Sequence, residues 1–290
     1  MREQIAEVGS RVISDLEQRQ EHPELYRPIP FGITQLTESA GGIVMPSYIA
    51  IGGGAKIGKT ALAIHMAHII GAAGRGTVTF YTLEETQWQV GVRSLTKLTT
   101  SVNRNHIRDL VINENGFKEL KEANSKLEKL DYYVENEIRT AEVIIAKAKK
   151  DGDKFIIVDY LQYLEDKVGK NEVERLREVS KMFVRARNND KLTSIVIYQL
   201  GDSGKADYTR SVYKDADLII EVYPAIDTVT DTPKPGQLWL QILDSRQTER
   251  TKKIPVSFEG AHNRITDMPS IDLNTMTTHN LEQLEANLDI

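Results

Sequence analysis

Cysteine is absent from the chain, which excludes disulfides, thiolate metal sites and a cysteine nucleophile, and suits a reducing compartment. No apolar run approaches the roughly 18 residues that a membrane span requires. The opening stretch MREQIAEVGSRVISDLEQRQ is charged throughout and lacks a signal-peptide core. A cytoplasmic location without a membrane partner is therefore expected. An excess of basic charge is missing too. A net charge of −5 gives no global positive field of the kind an autonomous nucleic-acid binder carries, so such contacts would have to come from local basic loops concentrated by assembly. The six histidines show no ligand-like clustering, and no histidine metal site is expected; His65 and His68 read as packing or surface residues of a helix. No internal repeat is visible. Length does not decide between one large α/β domain and two small ones, since 290 residues can bury a sizeable core either way.

Against these absences stands one sharp motif. Gly53, Gly54, Ala55, Lys56, Ile57, Gly58, Lys59 and Thr60 match G-x-x-x-x-G-K-[ST]. Ser47 to Gly52 reads as a buried strand before it, and Thr60 to Ile70 has apolar residues at helical spacing after it. A glycine-rich loop opening onto a helix N-terminus lets backbone N–H groups close around phosphate oxygens. Lys59 then supplies a point charge to the β and γ phosphates, and the Thr60 hydroxyl can hold Mg²⁺. ATP and Mg²⁺ are the expected cofactors.

Strand-like runs alternate with helical ones along most of the chain. The strands are predicted at 77–83, 155–158, 194–198, 218–222 and 238–243, and the helices at 86–98, 116–130, 138–150 and 172–188. This alternation predicts a mostly parallel central sheet flanked by helices. Residues 3–20 form a charged amphipathic helix with Ile5, Val8, Val12, Ile13 and Leu16 on one side, followed by a Pro-bearing connector from 22 to 30. Its apolar side packs either on its own domain or on a neighbouring subunit. The expected organisation is a helix and connector over 1–30, a catalytic domain over 31–267, and a polar tail over 268–290.

Chemistry on such a scaffold needs carboxylates at strand ends beside the phosphate loop. Asp159 follows Phe155-Ile156-Ile157-Val158 directly and is the metal-holding candidate. Glu84 and Glu85 both follow a strand, and strand alternation lets only one of them face the phosphates. For the other, a charge complementing the dipole of the following helix is the plain alternative, which fits Glu85. Gln199, at a third strand end, can read the γ-phosphate for the loop that follows.

Four stretches in order, Phe31-Gly32-Ile33-Thr34 running to Gly41-Gly42, the loop 53–60, Thr82-Leu83-Glu84 running to Arg93, and Val158-Asp159-Tyr160-Leu161-Gln162, resemble the RecA-like ATPase domain of DnaB-family replicative DNA helicases. Tyr198-Gln199-Leu200, Asp215-Ala216-Asp217 and Asp244-Ser245-Arg246 extend the likeness. The Asp-Tyr-Leu-Gln element is the most discriminating, because a phosphate loop alone admits many NTPases. The resemblance implies a RecA-like P-loop NTPase that hydrolyses ATP as a hexameric DNA helicase motor on single-stranded DNA. It selects Glu84 as the residue that polarises the attacking water. It makes Arg246 a finger reaching the neighbouring subunit's nucleotide, so that hydrolysis depends on assembly. The family usually carries a lysine two residues before that arginine, where this chain has Asp244; Arg250, Lys252 or Lys253 are the available substitutes. What the likeness covers is the motor half and linker helix, without the N-terminal collar domain.

The same likeness sets the partners: further copies of the chain in a hexamer or helical filament, single-stranded DNA, and replication, phage or plasmid loader proteins. DNA contacts are expected from two polar loops, 165–171 with Lys167 and Lys170, and 201–214 with Lys205, Arg210 and Lys214, where Tyr208 and Tyr213 are candidates for base stacking. Two alternatives share the phosphate loop: a RecA-like recombination or annealing ATPase, and a regulatory or loader ATPase that binds a helicase ring. A small-molecule kinase fits less well, since no basic lid or acceptor pocket is apparent.

Overall fold

The apolar runs of the sequence line up as the strands of a single sheet. In the computed structural model, which describes residues 3–200, 212, 214–227, 230–245 and 253–268, these strands are β1 (Tyr48–Gly53), β2 (Val78–Thr82), β3 (Tyr132–Glu135), β4 (Phe155–Asp159), β5 (Thr193–Ile197), β6 (Leu218–Ile226), β7 (Pro233–Ser245), β8 (Ile254–Glu259) and β9 (Arg264–Asp267). Their order across the sheet is β3-β2-β4-β5-β1-β6-β7-β8-β9. Neighbours from β3 to β6 are parallel, and β7, β8 and β9 add on antiparallel. The mostly parallel sheet expected from alternation is present, with an antiparallel extension that the periodicity does not announce.

The helices among the described residues are α1 (Ile5–Glu21), α2 (Pro23–Tyr26), α3 (Thr34–Ala40), α4 (Lys59–Ala72), α5 (Gln87–Leu98), α6 (Arg104–Arg108), α7 (Glu114–Leu127), α8 (Ala141–Asp151) and α9 (Glu172–Arg185). Strand alternation sorts the core into two layers. Ile49 and Ile51 of β1 face one cluster with Leu62, Met66 and Ile70 of α4, while Tyr48 and Ala50 face the other with Ile144 of α8 and Val179 and Phe183 of α9. Strands covered on both faces explain the nearly uninterrupted apolar runs of β1, β4 and β5. The helix α4 is buried almost all round, which suits a helix sandwiched against the sheet behind the phosphate loop.

The N-terminal segment behaves differently. No residue of α1 is buried, and Ile5, Val12, Ile13 and Leu16 are exposed. The apolar stripe thus does not pack on the chain's own core. The connector expected after it holds a turn of helix, α2, and is pinned: the Arg75 guanidinium donates to the carbonyls of Glu24, Leu25 and Arg27. Ile29 is buried and exchanges backbone hydrogen bonds with Ile43 at 3.0 and 2.7 Å. The start of α3 is tied to β9, because Asp267 accepts from the Thr34 N–H and hydroxyl at 2.8 and 2.7 Å. No helix among the described residues is long and apolar enough to cross a membrane.

Candidate functional site

The carboxyl ends of β1, β2, β4 and β5 meet at a cleft of about 670 Å³, the position at which open parallel sheets bind ligands. The loop between β1 and α4 forms its floor. Gly53 has φ +144°, and a Cβ there would lie 2.6 Å from the Val222 carbonyl oxygen of the adjacent strand; only glycine lets the chain leave the sheet at this angle. Lys59 is 7% exposed, and its ammonium donates to the Gly54 carbonyl within the loop. Burial lowers the Lys59 pKa, against the pull of the Asp159 and Glu84 carboxylates.

Behind the loop, the Thr60 hydroxyl donates to the Asp159 carboxylate at 2.8 Å. Asp159 ends β4 and is fully enclosed, and burial pushes its pKa up to about 7; the Thr60 hydrogen bond opposes the rise, Glu85 and Glu84 add to it, and Lys59 opposes it. A divalent cation at this carboxylate would relieve that penalty. The donor set fits Mg²⁺ and a polyphosphate: a hydroxyl and a carboxylate in contact, an enclosed ammonium, and N–H groups at the start of a long helix.

The two glutamates require a correction to the alternation argument. Both line the cleft, because β2 stops at Thr82 and residues 83–85 form a bend in which strand alternation no longer applies. Glu84 is exposed to the cleft. Glu85 is engaged in a two-pronged ion pair with Arg93, whose Nε donates to it at 2.7 Å and whose Nη1 donates to Asn263 at 3.1 Å. Its partner is thus a side chain of α5 more than the helix dipole, whose N-terminus is closed by the Thr86–Gln89 capping box.

Gln199 reaches the cleft from the end of β5. Its backbone is clamped by Gln162, which donates to the Gln199 carbonyl at 2.8 Å and accepts from its N–H at 3.4 Å. The Asp159–Tyr160 peptide bond between β4 and the Gln162 turn is cis. Beneath this level Tyr198 and Tyr223 donate to Glu221, at 2.8 Å for Tyr198, in a buried network beside β1.

The predicted residues Lys59, Thr60, Glu84, Asp159 and Gln199 therefore converge on one cleft. Lys167, Lys170 and Lys214 are exposed and lie outside its lining. Arg246, Lys205, Arg210, Tyr208, Tyr213, Arg250 and Lys252 lie outside the described residues, as does nearly all of the tail. Asp244 is exposed near the end of β7, and Lys253 stands 6.0 Å over the Tyr223 ring. His65 and His68 are buried packing residues of α4. Sequence reasoning missed Arg104, Phe258 and Gly260, which complete the cleft wall with Tyr160 of the Asp-Tyr-Leu-Gln element; Arg104 and Gly260 come from polar stretches and Phe258 from the short strand β8, none carries a motif, and only tertiary packing joins them.

Comparison with known proteins agrees with this geometry. A replicative DNA helicase DnaB of Leifsonia xyli subsp. xyli is 25% identical over 263 residues, covering 84% of this chain. The chain spans 56% of that relative's length. Among solved structures, one described as an ATPase domain superposes with a TM-score of 0.79 at 15% identity, covering 90% of this chain and 99% of that one. A DnaB-like replicative helicase, described with its interactions with primase, superposes with a TM-score of 0.75 at 17% identity, over 90% and 66% of the two chains. The family described as the DnaB-like helicase C-terminal domain matches residues 28–267, and with its RecA-like sheet and phosphate-loop cleft the chain belongs to that family.

Proposed function

We propose that the chain is an ATP-driven motor that assembles as a hexameric ring or helical filament, translocates on single-stranded DNA and separates duplex in replication. The observation that carries this reading is the convergence of Lys59, the Thr60–Asp159 pair and Glu84 on one cleft in a chain of this family. Lys59 and the N–H groups of the loop hold the phosphates, and Thr60 and Asp159 hold the metal. Bound Mg²⁺ supplies charge neutralisation at the phosphoryl group. Glu84 orients the attacking water and takes up its proton, while Gln199 senses the terminal phosphate and passes the signal to the loop that begins at residue 201. Arg246 completes a neighbour's site, which makes turnover a property of the assembly. Lys167, Lys170, Lys205, Arg210 and Lys214 track the DNA backbone without reading bases, and replication or loader proteins place the ring on its strand.

Unwinding of a forked duplex tests this reading. The wild-type chain should separate strands with Mg-ATP. Lys59→Ala should neither bind nucleotide nor unwind, and Glu84→Gln should retain nucleotide while losing at least about 100-fold in hydrolysis. Hydrolysis without any strand separation on forks of either polarity would favour the annealing or regulatory ATPase.

A further inference from the structure

The bend that carries Glu84 is held on several sides. The Leu83 N–H donates to the Asp159 carbonyl at 2.8 Å. The Thr82 hydroxyl closes the bend by donating to the Glu85 carbonyl at 2.7 Å and accepting from the Glu85 N–H at 3.1 Å. A further hold comes from outside β2 and β4: the Leu83 carbonyl accepts from the guanidinium of Arg139. That carbonyl belongs to the planar peptide unit that enters Glu84, so fixing it fixes the direction in which Glu84 leaves the backbone. Arg139 lies between β3 and α8, is half-buried, and is not part of the cleft lining among the described residues.

The same residue is stitched to the loop at 165–171. The Arg139 carbonyl accepts from the Glu165 N–H at 2.7 Å. The next loop residue, Asp166, is 5% exposed, and its carboxylate accepts from the N–H groups of Ala141 and Glu142 at 2.8 and 3.3 Å. It thereby closes the N-terminus of α8, whose cap is Thr140. Residues 139–142 and 165–166 are thus joined as one unit. At its other end the loop is fixed to α9, where the Lys170 N–H donates to the Glu174 carboxylate at 2.8 Å and the Asn171 side chain accepts from the Glu174 N–H at 2.9 Å. Lys167, between these anchors, and Lys170 are exposed. A ligand held by the two lysines loads the anchors, and from the first anchor a single side chain leads to the peptide unit before Glu84.

Resting on the reading of Lys167 and Lys170 as DNA contacts, we propose that Arg139 is a positioning residue that couples the 165–171 loop to Glu84. DNA held at the loop steadies residues 139–142, and Arg139 then keeps the Glu84 bend in the setting that hydrolysis needs. Its part is in the stimulation of hydrolysis by single-stranded DNA and not in the affinity for nucleotide or DNA.

The test is the rate of Mg-ATP hydrolysis by the full chain with and without a single-stranded oligonucleotide, together with the affinity for a labelled oligonucleotide and for a non-hydrolysable ATP analogue. Wild type is compared with Arg139→Met, which keeps the apolar stem and loses the donors, and with Arg139→Lys. Arg139→Met should bind both ligands within about twofold of wild type, which also shows that it is folded, and keep its rate without DNA within about threefold, while the stimulation by DNA falls about tenfold. Arg139→Lys, which keeps a cationic donor, should recover part of that stimulation. Unchanged stimulation in Arg139→Met, an equal fall in both rates, or loss of oligonucleotide binding overturns the coupling. Combining Arg139→Met with Lys167→Ala and Lys170→Ala is the second check: the arginine change should cost less stimulated rate there than in the wild-type chain, and costs that simply multiply overturn the coupling. A wild-type chain whose hydrolysis ignores DNA, or responds to it equally without the two lysines, overturns the reading of the loop and the coupling with it.

Discussion

His65 and His68 sit one turn apart on α4, each less than a tenth exposed. His65 donates from Nε2 to the Phe31 carbonyl at 3.0 Å and accepts at Nδ1 from the Lys97 ammonium at 2.9 Å, an arrangement open only to the neutral ring. Burial first, and the Lys97 charge second, bring its pKa from 6.5 down to about 4; the same causes in the same order, with His65 added, bring His68 down to about 3. Both folded values lie below the unfolded one, so on acidification the unfolded chain takes up protons first. Stability is therefore complete above the unfolded value and is lost as pH falls from about 6.5 toward 4, by about 2 kcal/mol per histidine near pH 5. Urea unfolding at neutral and acid pH should show this, and His68→Gln should flatten its share of the slope. Glu221 sits in a second buried set, accepting from Tyr198 and Tyr223. A Cβ at Gly52 would collide with the Tyr198 ring and hydroxyl, so the phosphate-loop strand, the Gln199 strand and β6 fit together at this point. Glu221→Ala removes the carboxylate that accepts from the buried Tyr198 hydroxyl and the half-buried Tyr223 hydroxyl and should cost about 2–4 kcal/mol in urea unfolding, whereas Glu221→Gln, which keeps an acceptor, should cost less.

At the scale of elements, α1 presents the clearest demand. Ile5 is 84% exposed and Ile13 is 60% exposed, on a helix with no buried residue, joined to the sheet domain through a connector that Arg75 holds in place. Such a stripe calls for a cover, and under the proposed assembly an adjacent subunit would supply it. Ile13→Glu combined with Leu16→Glu should shift the mass in solution toward monomer at micromolar concentration, with a melting temperature of the monomer unchanged. What could be read in advance differs from element to element. The stretch from β1 through α4 and the end of β4 at Asp159 were legible because long apolar runs and a loop motif specify them locally. The strands β3, β8 and β9 were not, since Tyr132–Glu135 and Arg264–Asp267 are four residues each and β8 carries Pro255; their pairing with longer neighbours creates them. Glu85 misled the alternation argument because β2 ends two residues before Glu84, and Arg104 was silent because its place in the wall depends on α6 meeting the 260–262 turn.

For the whole molecule, one cleft at the strand ends gathers residues from the phosphate loop and α4, from the end of β4, from the turns that follow β2 and β5, and from α5, α6 and β8, and the proposed function would add a cation from a neighbouring copy. Under the proposed function a single chain would hold a nucleotide and a neighbouring copy would supply Arg246 to stabilise charge on the transferred phosphoryl, which would make the catalytic unit an interface. The most direct test is the rate of Mg-ATP hydrolysis per subunit in the presence of single-stranded DNA, followed across a range of protein concentration that spans assembly. The account predicts a rate that climbs steeply as subunits associate, at least about 100-fold above that of the dilute chain, and that stays at the dilute level throughout in Arg246→Ala. A rate per subunit independent of concentration, and equal in Arg246→Ala, would contradict it.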